Sequence, residues 1–377
     1  MESGGDRVDD EFTQIVTLAR DTDVPTDDRL HYLEFSDGIE IGRRHVVGPA
    51  GVRIGRLPPS DLVLADSQVS RSHCTVIPRD GKLVVNDLKS TNGTFVDGVR
   101  VTAPVELPVG SILQVGGRAF KHEWRTRSEI AQAEEMEREL RKASSYVLAL
   151  LPAPVREGPI RADWMYHPSA RLGGDAFGYG SLTDDHHMCY LIDVAGHGTG
   201  AAMHGVAVMQ QLRHRALPNT DMTDPAQVLT TLNSLFQMDE HDGLYFTMWY
   251  GVYRTSTRTL DYASAGHHAA YLIPPDRSEM IPLRTKNGIV GAMPGMVYKR
   301  DSVTVPPGAS LYVFSDGVFE IVTKDGEEWG IHDFLPSLLN EPVEGLTESQ
   351  RLFRVIRETS RPGGLDDDFS LVVATFD

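Results

Sequence analysis

Two cysteines in 377 residues are too few for a disulfide framework or a thiolate metal site, and Cys74 and Cys189 lie in separate apolar segments. Each reads as a small core residue, and the scarcity agrees with a reducing compartment. No apolar run reaches the roughly 18 residues that span a bilayer. The opening MESGGDRVDDEF has neither the basic nor the apolar part of a signal peptide, so a cytoplasmic location is expected. Positive charge is also scarce. With 36 Lys and Arg against 53 Asp and Glu, the formal net charge is −17, which argues against general binding to nucleic acid or to an anionic membrane. A local basic pocket is still permitted. No P-loop or other glycine-rich phosphate cradle for a nucleotide is present.

What remains is a globular composition, 41% hydrophobic and 24% charged, on a chain long enough for two or three domains. Residues 1–29 hold nine acidic and three basic side chains and few large apolar ones, a composition that does not repay the entropy of ordering. They are expected to form an acidic tail, in which Thr13, Thr17, Thr22 and Thr26 offer sites to a kinase. Residues 30–125 break into short apolar runs separated by turn residues, the pattern of an all-β sandwich. Asp80-Gly81 and Asp97-Gly98 read as hairpin turns without chemistry.

Within that sandwich IGR at 54–56, VSRSHC at 69–74 and STNGTFVDG at 90–98 fall in loops or at strand ends. They supply a guanidinium, hydroxyls, a second cation and a side-chain amide, the donors that a phosphate and a neighbouring peptide backbone require. In order and separation these pieces resemble a forkhead-associated (FHA) domain. The resemblance implies a phosphothreonine-binding module in which Arg56 and Ser70 hold the phosphate, Arg71 and Thr91 assist, and Asn92 holds the bound peptide's backbone. Gly55, as a turn residue, and the framework histidine His73 are expected to be structural, and Ser90 and Gly93 to shape their loop.

Residues 126–151 read as one linker helix, rich in helix formers and stopped by Pro152 and Pro154. Its stripe of Ile130, Ala133, Met136, Leu140, Ala143, Val147 and Leu151 either packs on the following domain or pairs with a second copy, making a homodimer possible. From 152 to 377 strand-like runs alternate with amphipathic patterns at 201–215, 225–238, 331–340 and 349–360, which indicates a layered α/β sandwich.

Four aspartates in this region share one setting, the end of an apolar run next to glycine: Asp175 in LGGDAFG, Asp193 in LIDVAGHG, Asp316 in SDGVFE and Asp367 in DDFSLVV. Converging carboxylates repel unless a cation lies among them, and oxygen-only donors suit Mg²⁺ or Mn²⁺ better than zinc. LLP at 150–152, GGD at 173–175, DVAGHG at 193–198, FTMWYGV at 246–252, SAGHHAAYL at 264–272, SDGVFE at 315–320 and DDFSLVV at 367–373 resemble, in order, bacterial metal-dependent serine phosphatases of the PP2C superfamily, the branch of the sporulation and stress-response phosphatases. The resemblance implies an αββα sandwich and two Mn²⁺ or Mg²⁺ ions that activate a bridging water. Asp193 would bridge both ions, Asp316 and Asp367 would complete one site, and Asp175 with the Val194 carbonyl would serve the other. Asp368 is expected to orient its loop and Asp366 to be exposed. Gly178 stands where the family often has a further aspartate. His197 either protonates the leaving oxygen or caps a strand; His267 and His268 are expected to be structural, and His186-His187 to lie in a polar turn. The expected activity is hydrolysis of phosphoserine or phosphothreonine on a protein, with an anti-anti-sigma regulator as substrate and a Ser/Thr kinase upstream. The sandwich would bind a phosphothreonine protein or the chain's own tail. The alternative is a catalytically silent phosphothreonine-dependent adaptor.

Overall fold

The computed structural model describes residues 29–36, 42–361, 363 and 365–377; the segment 1–28, with its four threonines, and Gly364 lie outside the described residues. The chain divides between Met136 and Glu137 into two units.

In the first unit the short apolar runs fold as two antiparallel-dominated sheets of six and five strands. Their inward residues, among them Leu33, Ile54, Val76, Leu83, Leu113 and Phe120, make one core between the sheets. Both expected DG turns close hairpins. Asp80-Gly81 joins Cys74–Arg79 to Lys82–Asp87, and Asp97-Gly98 joins Thr94–Val96 to Val99–Arg100, with positive φ at all four residues as a two-residue turn of this kind demands. The following helix, Arg127–Leu150, opens on a reciprocal cap: Glu129 N donates to Thr126 Oγ1 and Thr126 N donates to the Glu129 carboxylate.

The second unit contains two five-stranded antiparallel sheets. Strand His186–Val194 shows why its sequence is apolar almost without interruption. Tyr190 and Ile192 face helices Thr199–Arg213 and Pro225–Leu235, while Cys189 and Leu191 face the other sheet. Both faces are buried, so both carry apolar side chains. On the second sheet, Val313 and Val372 face the first sheet, whereas Phe314, Leu371 and Val373 pack towards helix Glu348–Thr359 with its Leu352 and Ile356. The order of layers is helix, sheet, sheet, helix. From Glu137 on, the linker helix packs on its own unit through Leu140, Ala143 and Val147, against Leu172, Ala202 and Val206. Met136 is largely exposed.

Several local expectations are corrected. His186 and His187 begin a strand rather than occupying a turn; His186 receives a hydrogen bond from Arg254 Nε, and His187 Nδ1 lies 3.0 Å from Ser181 Oγ. The helix expected over 331–340 is a short α-turn, Ile331–Phe334, followed by a 3₁₀ segment, because Pro336 has no N–H to continue the α pattern. Gly55 has no positive φ. A Cβ there would sit 2.3 Å from the Arg71 carbonyl oxygen, so close backbone approach, not a turn, requires glycine.

Candidate active site

The pleat delivers two of the carboxylates of the second unit, and turns beside two strands deliver the others. Cys189 and Leu191 enter the layer between the sheets, so Asp193, two residues on, reaches the open end of the same layer. Phe177 occupies that layer too, and Asp175 precedes it by two positions, just before strand Ala176–Ser181. From the other sheet, Asp316 opens a tight 3₁₀ turn after strand Ser310–Phe314, and Asp367 lies just before strand Phe369–Phe376. Asp193, Val194, His197, Asp316 and Asp367 line one cleft together with Ser169, Tyr245 and Thr247. Asp175 is buried, and its Oδ2 has no hydrogen-bond partner among the described residues.

Among the described residues no three acidic, histidine or cysteine side chains are gathered tightly enough to hold a single ion. The carboxylates nevertheless share one field. Burial raises the Asp193 carboxyl to about 7, helped by the charges of Asp316, Asp367, Asp368 and Glu320. Burial, then Asp367 and Glu320, raises Asp316 to about 6. Asp367 is raised, chiefly by burial. Asp175 is raised well above the carboxylate range by burial and by Asp193 and Asp368. No lysine or arginine is among the described residues that line the cleft. Oxygen donors, an orphaned buried carboxylate oxygen and carboxyls raised by burial and by one another's charge fit a divalent cation, which would offset that charge.

The expected supporting residues fall around these four. Asp368 accepts hydrogen bonds from Ser169 N and Oγ (2.8 and 2.9 Å) and from Gly174 N (2.7 Å), tying the 168–175 connection at two points to its own loop in the cleft. Asp366 is exposed and pairs with Arg361. Gly196 and Gly198, on either side of His197, have φ of +90° and +88° with nothing within 4 Å of a built Cβ, so glycine answers a conformational need there. His197 is exposed at the rim of the cleft. At Gly178 a Cβ would meet the Tyr190 hydroxyl at 2.4 Å, on the face of the sheet turned away from the carboxylates. Sequence reasoning gave no role to Glu320, whose charge acts on both Asp193 and Asp316, or to Ser169 and Thr247. The signal for Thr247 was available: it stands two residues before the inter-sheet Trp249, as Asp175 stands before Phe177.

In the first unit, His73 is fully buried and joins two loops. Ser70 N donates to its Nδ1 at 3.0 Å, leaving Nε2 to donate to the Gly93 carbonyl at 3.0 Å. Thr91 N donates to Ser70 Oγ at 3.0 Å, and Asn92 Nδ2 donates to Gln68 O at 2.8 Å. Asp87 receives hydrogen bonds from Ser90 and Thr94; burial opposes its ionisation, but these donors bring its pKa below the ordinary value. Arg56 and Arg71 are exposed, and neither has a salt-bridge partner among the described residues. Arg71 lies on the loop of Ser70, and Arg56, whose N donates to the Ser70 carbonyl at 2.9 Å, lies on the neighbouring one, an arrangement suited to an oxyanion.

The family model of Stage II sporulation protein E (SpoIIE) matches residues 183–377, and that of the FHA domain matches residues 52–116. Phosphoserine phosphatase RsbU of Bacillus subtilis is 25% identical over 214 residues, 55% of this chain and 60% of that protein. FHA domain-containing protein FhaB of Mycolicibacterium smegmatis is 39% identical over 84 residues, 22% of this chain and 54% of that protein. The chain thus spans between half and two thirds of the length of these curated relatives. The solved SiaA-PP2C domain of Pseudomonas aeruginosa matches with a TM-score of 0.57 at 21% identity, covering 66% of this chain and 99% of that one. The structure of the PP2C phosphatase domain and a regulatory fragment of SpoIIE from Bacillus subtilis matches with 0.50 at 17%, covering 58% and 62%. At those identities the two structures speak for the fold.

Proposed function

The chain belongs to the SpoIIE family, and we propose that it is a metal-dependent phosphatase that removes phosphate from serine or threonine on a protein. The observation that carries this reading is that Asp193, Asp316 and Asp367, from both sheets, line one cleft, that the charges of the buried Asp175 and of Asp193 act on each other, and that burial and mutual repulsion raise all four carboxyls. These four, with the Val194 carbonyl, would hold two Mn²⁺ or Mg²⁺ ions. Bound there, such ions supply Lewis-acid activation of water and neutralise phosphoryl charge. The remaining work belongs to the chain. Asp368 ties the 168–175 connection to its own loop through Ser169 and Gly174, and His197 stands at the rim, where it can donate a proton to a departing serine oxygen. Both cysteines are buried and their thiols are pushed up to about 12, so neither is a nucleophile.

The FHA domain would bind phosphothreonine through Arg56, Ser70, Arg71, Thr91 and Asn92, either on a partner modified by a Ser/Thr kinase or in the segment 1–28. The likeness to a phosphoserine phosphatase supports phosphoserine as the group removed; a phosphorylated anti-anti-sigma regulator would be the substrate by the resemblance read from the sequence. Among the described residues no helix is long and apolar enough to cross a membrane.

The test is phosphate release from a phosphoserine peptide by the full chain with Mn²⁺ or Mg²⁺. Turnover that EDTA removes and that Asp193→Asn lowers by about 100-fold or more is the expected result. A folded full chain without metal-dependent turnover would leave the FHA domain as the working part and make the chain an adaptor.

A further inference from the structure

One buried polar side chain of the second unit links its two five-stranded sheets. His267 sits on the connection that leaves one sheet at strand Thr259–Ala265 and enters the other at strand Ala270–Ile273, and it is 2% exposed. Its Nε2 lies 3.0 Å from the carbonyl oxygen of Phe314; a carbonyl only accepts, so this nitrogen carries the hydrogen and donates. Its Nδ1 lies 2.7 Å from Thr247 Oγ1. Burial, with His268 alongside, holds the ring pKa well below its ordinary value, so the ring is neutral and the Thr247 hydroxyl donates to Nδ1.

The two partners belong to different sheets, and each is adjacent to a different aspartate. Thr247 stands directly opposite Asp193 in the pairing of strands Phe246–Arg254 and His186–Val194. Phe314 is the last residue of its strand, two positions before Asp316. A histidine buried only to fill space would need its nitrogens satisfied, but nothing would require that the partners be the two strand ends that face each other across the cleft. We infer that His267 is a positioning residue: by holding Thr247 with one nitrogen and Phe314 with the other, it sets the separation of the Asp193 and Asp316 carboxylates. This rests on the reading that those carboxylates hold divalent cations. Two ions about 4 Å apart tolerate little error in the spacing of their ligands, and loss of a group that orients metal ligands typically weakens metal binding about 10-fold or more.

The experiment measures Mn²⁺ binding by isothermal titration calorimetry on the full chain, alongside thermal unfolding in EDTA. Three variants are compared with wild type: Thr247→Val, which keeps the shape but removes the donor; His267→Leu, which removes both links; and His267→Gln, whose amide offers one donor and one acceptor. Asp193→Asn serves as the control for the site itself. The expected result is Mn²⁺ affinity weakened about 10-fold in Thr247→Val and His267→Leu and partly recovered in His267→Gln, with Thr247→Val still folded. Unchanged Mn²⁺ affinity in folded Thr247→Val and His267→Gln, with any loss confined to melting temperature, would overturn the positioning role and leave the metal site standing. Wild type that binds no Mn²⁺, or Asp193→Asn that binds it as wild type does, would overturn the metal reading and this inference with it.

Discussion

The carboxylates of the cleft are costly to ionise together, and Asp193→Asn measures that cost. Asparagine keeps the size of the side chain and removes its charge. The Asp193 carboxyl rises from 3.8 to about 7, which makes ionisation in the folded metal-free protein cost on the order of 4 kcal/mol. Part of that rise comes from neighbours whose own protonation shares the strain, so a gain of about 2–4 kcal/mol is expected in the mutant. Because the folded pKa lies above the unfolded one, the folded protein keeps a proton that the unfolded chain has released. Wild-type stability therefore falls as pH rises from about 4 through about 7 and is flat above. In EDTA at pH 8, scanning calorimetry of the full chain is expected to show the second unit of Asp193→Asn melting roughly 5–15 °C above wild type. At pH 5 the difference should shrink to less than half. With Mn²⁺ at about 1,000 times its dissociation constant the order should reverse, since only wild type gains the roughly 4.1 kcal/mol of ligand stabilisation. A mutant that melts below wild type at pH 8 in EDTA, or one whose advantage is the same at both pH values, would refute the account of the field.

Two further outcomes follow from the geometry. Gly317→Ala would place a Cβ 2.3 Å from the Asp368 carbonyl oxygen and 3.0 Å from the Asp367 carbonyl carbon, so the turn bearing Asp316 must move away from the loop bearing Asp367. A loss of about 2 kcal/mol or more in urea unfolding, together with weaker Mn²⁺ binding by calorimetry, is expected. In the first unit, Arg56→Ala and Ser70→Ala should each weaken binding of a phosphothreonine peptide by about 10-fold in fluorescence anisotropy, Arg56→Ala without altering the melting of the sandwich; equal binding of the unphosphorylated peptide would remove the oxyanion argument.

Much of this architecture could be read from the chain because local and global demands agree. A run of helix formers stopped by Pro152 and Pro154 announces the linker helix, the two DG pairs announce their hairpins, and the continuous apolar run ending at Val194 announces a buried strand. What escaped lacked such agreement. Strands Arg44–Val47, Val105–Leu107, Ile281–Leu283 and Asp301–Thr304 have three or four residues each, too few to show a period, and are held by pairing to longer neighbours. His186 and His187 read as a turn because polar residues follow Asp184-Asp185, yet their pairing with Tyr253 and Arg254 continues the ladder to the edge of the sheet.

The same periodicity separates the two halves of the candidate site. A strand apolar on both faces does not disclose which face looks at the other sheet; that is fixed by the helices, whose contacts claim Tyr190 and Ile192 and leave Cys189, Leu191 and Asp193 to the inter-sheet layer. Once one face is assigned, counting by two from each strand brings Asp175, Asp193, Thr247 and Ser370 to the same layer without further assumption. Asp316 and Asp367 do not follow from this count, because each lies on a turn just beyond its strand, where the pleat no longer directs the side chain. These two therefore need separate restraints. Gly317 packed against Asp368 and the hydrogen bond from Asp368 N to the Asp367 carboxylate provide them within one sheet, and His267 provides the link across to the sheet of Asp193. A cleft assembled from pleat-directed ligands on one side and turn-borne ligands on the other should be most sensitive to substitution where the two halves are joined.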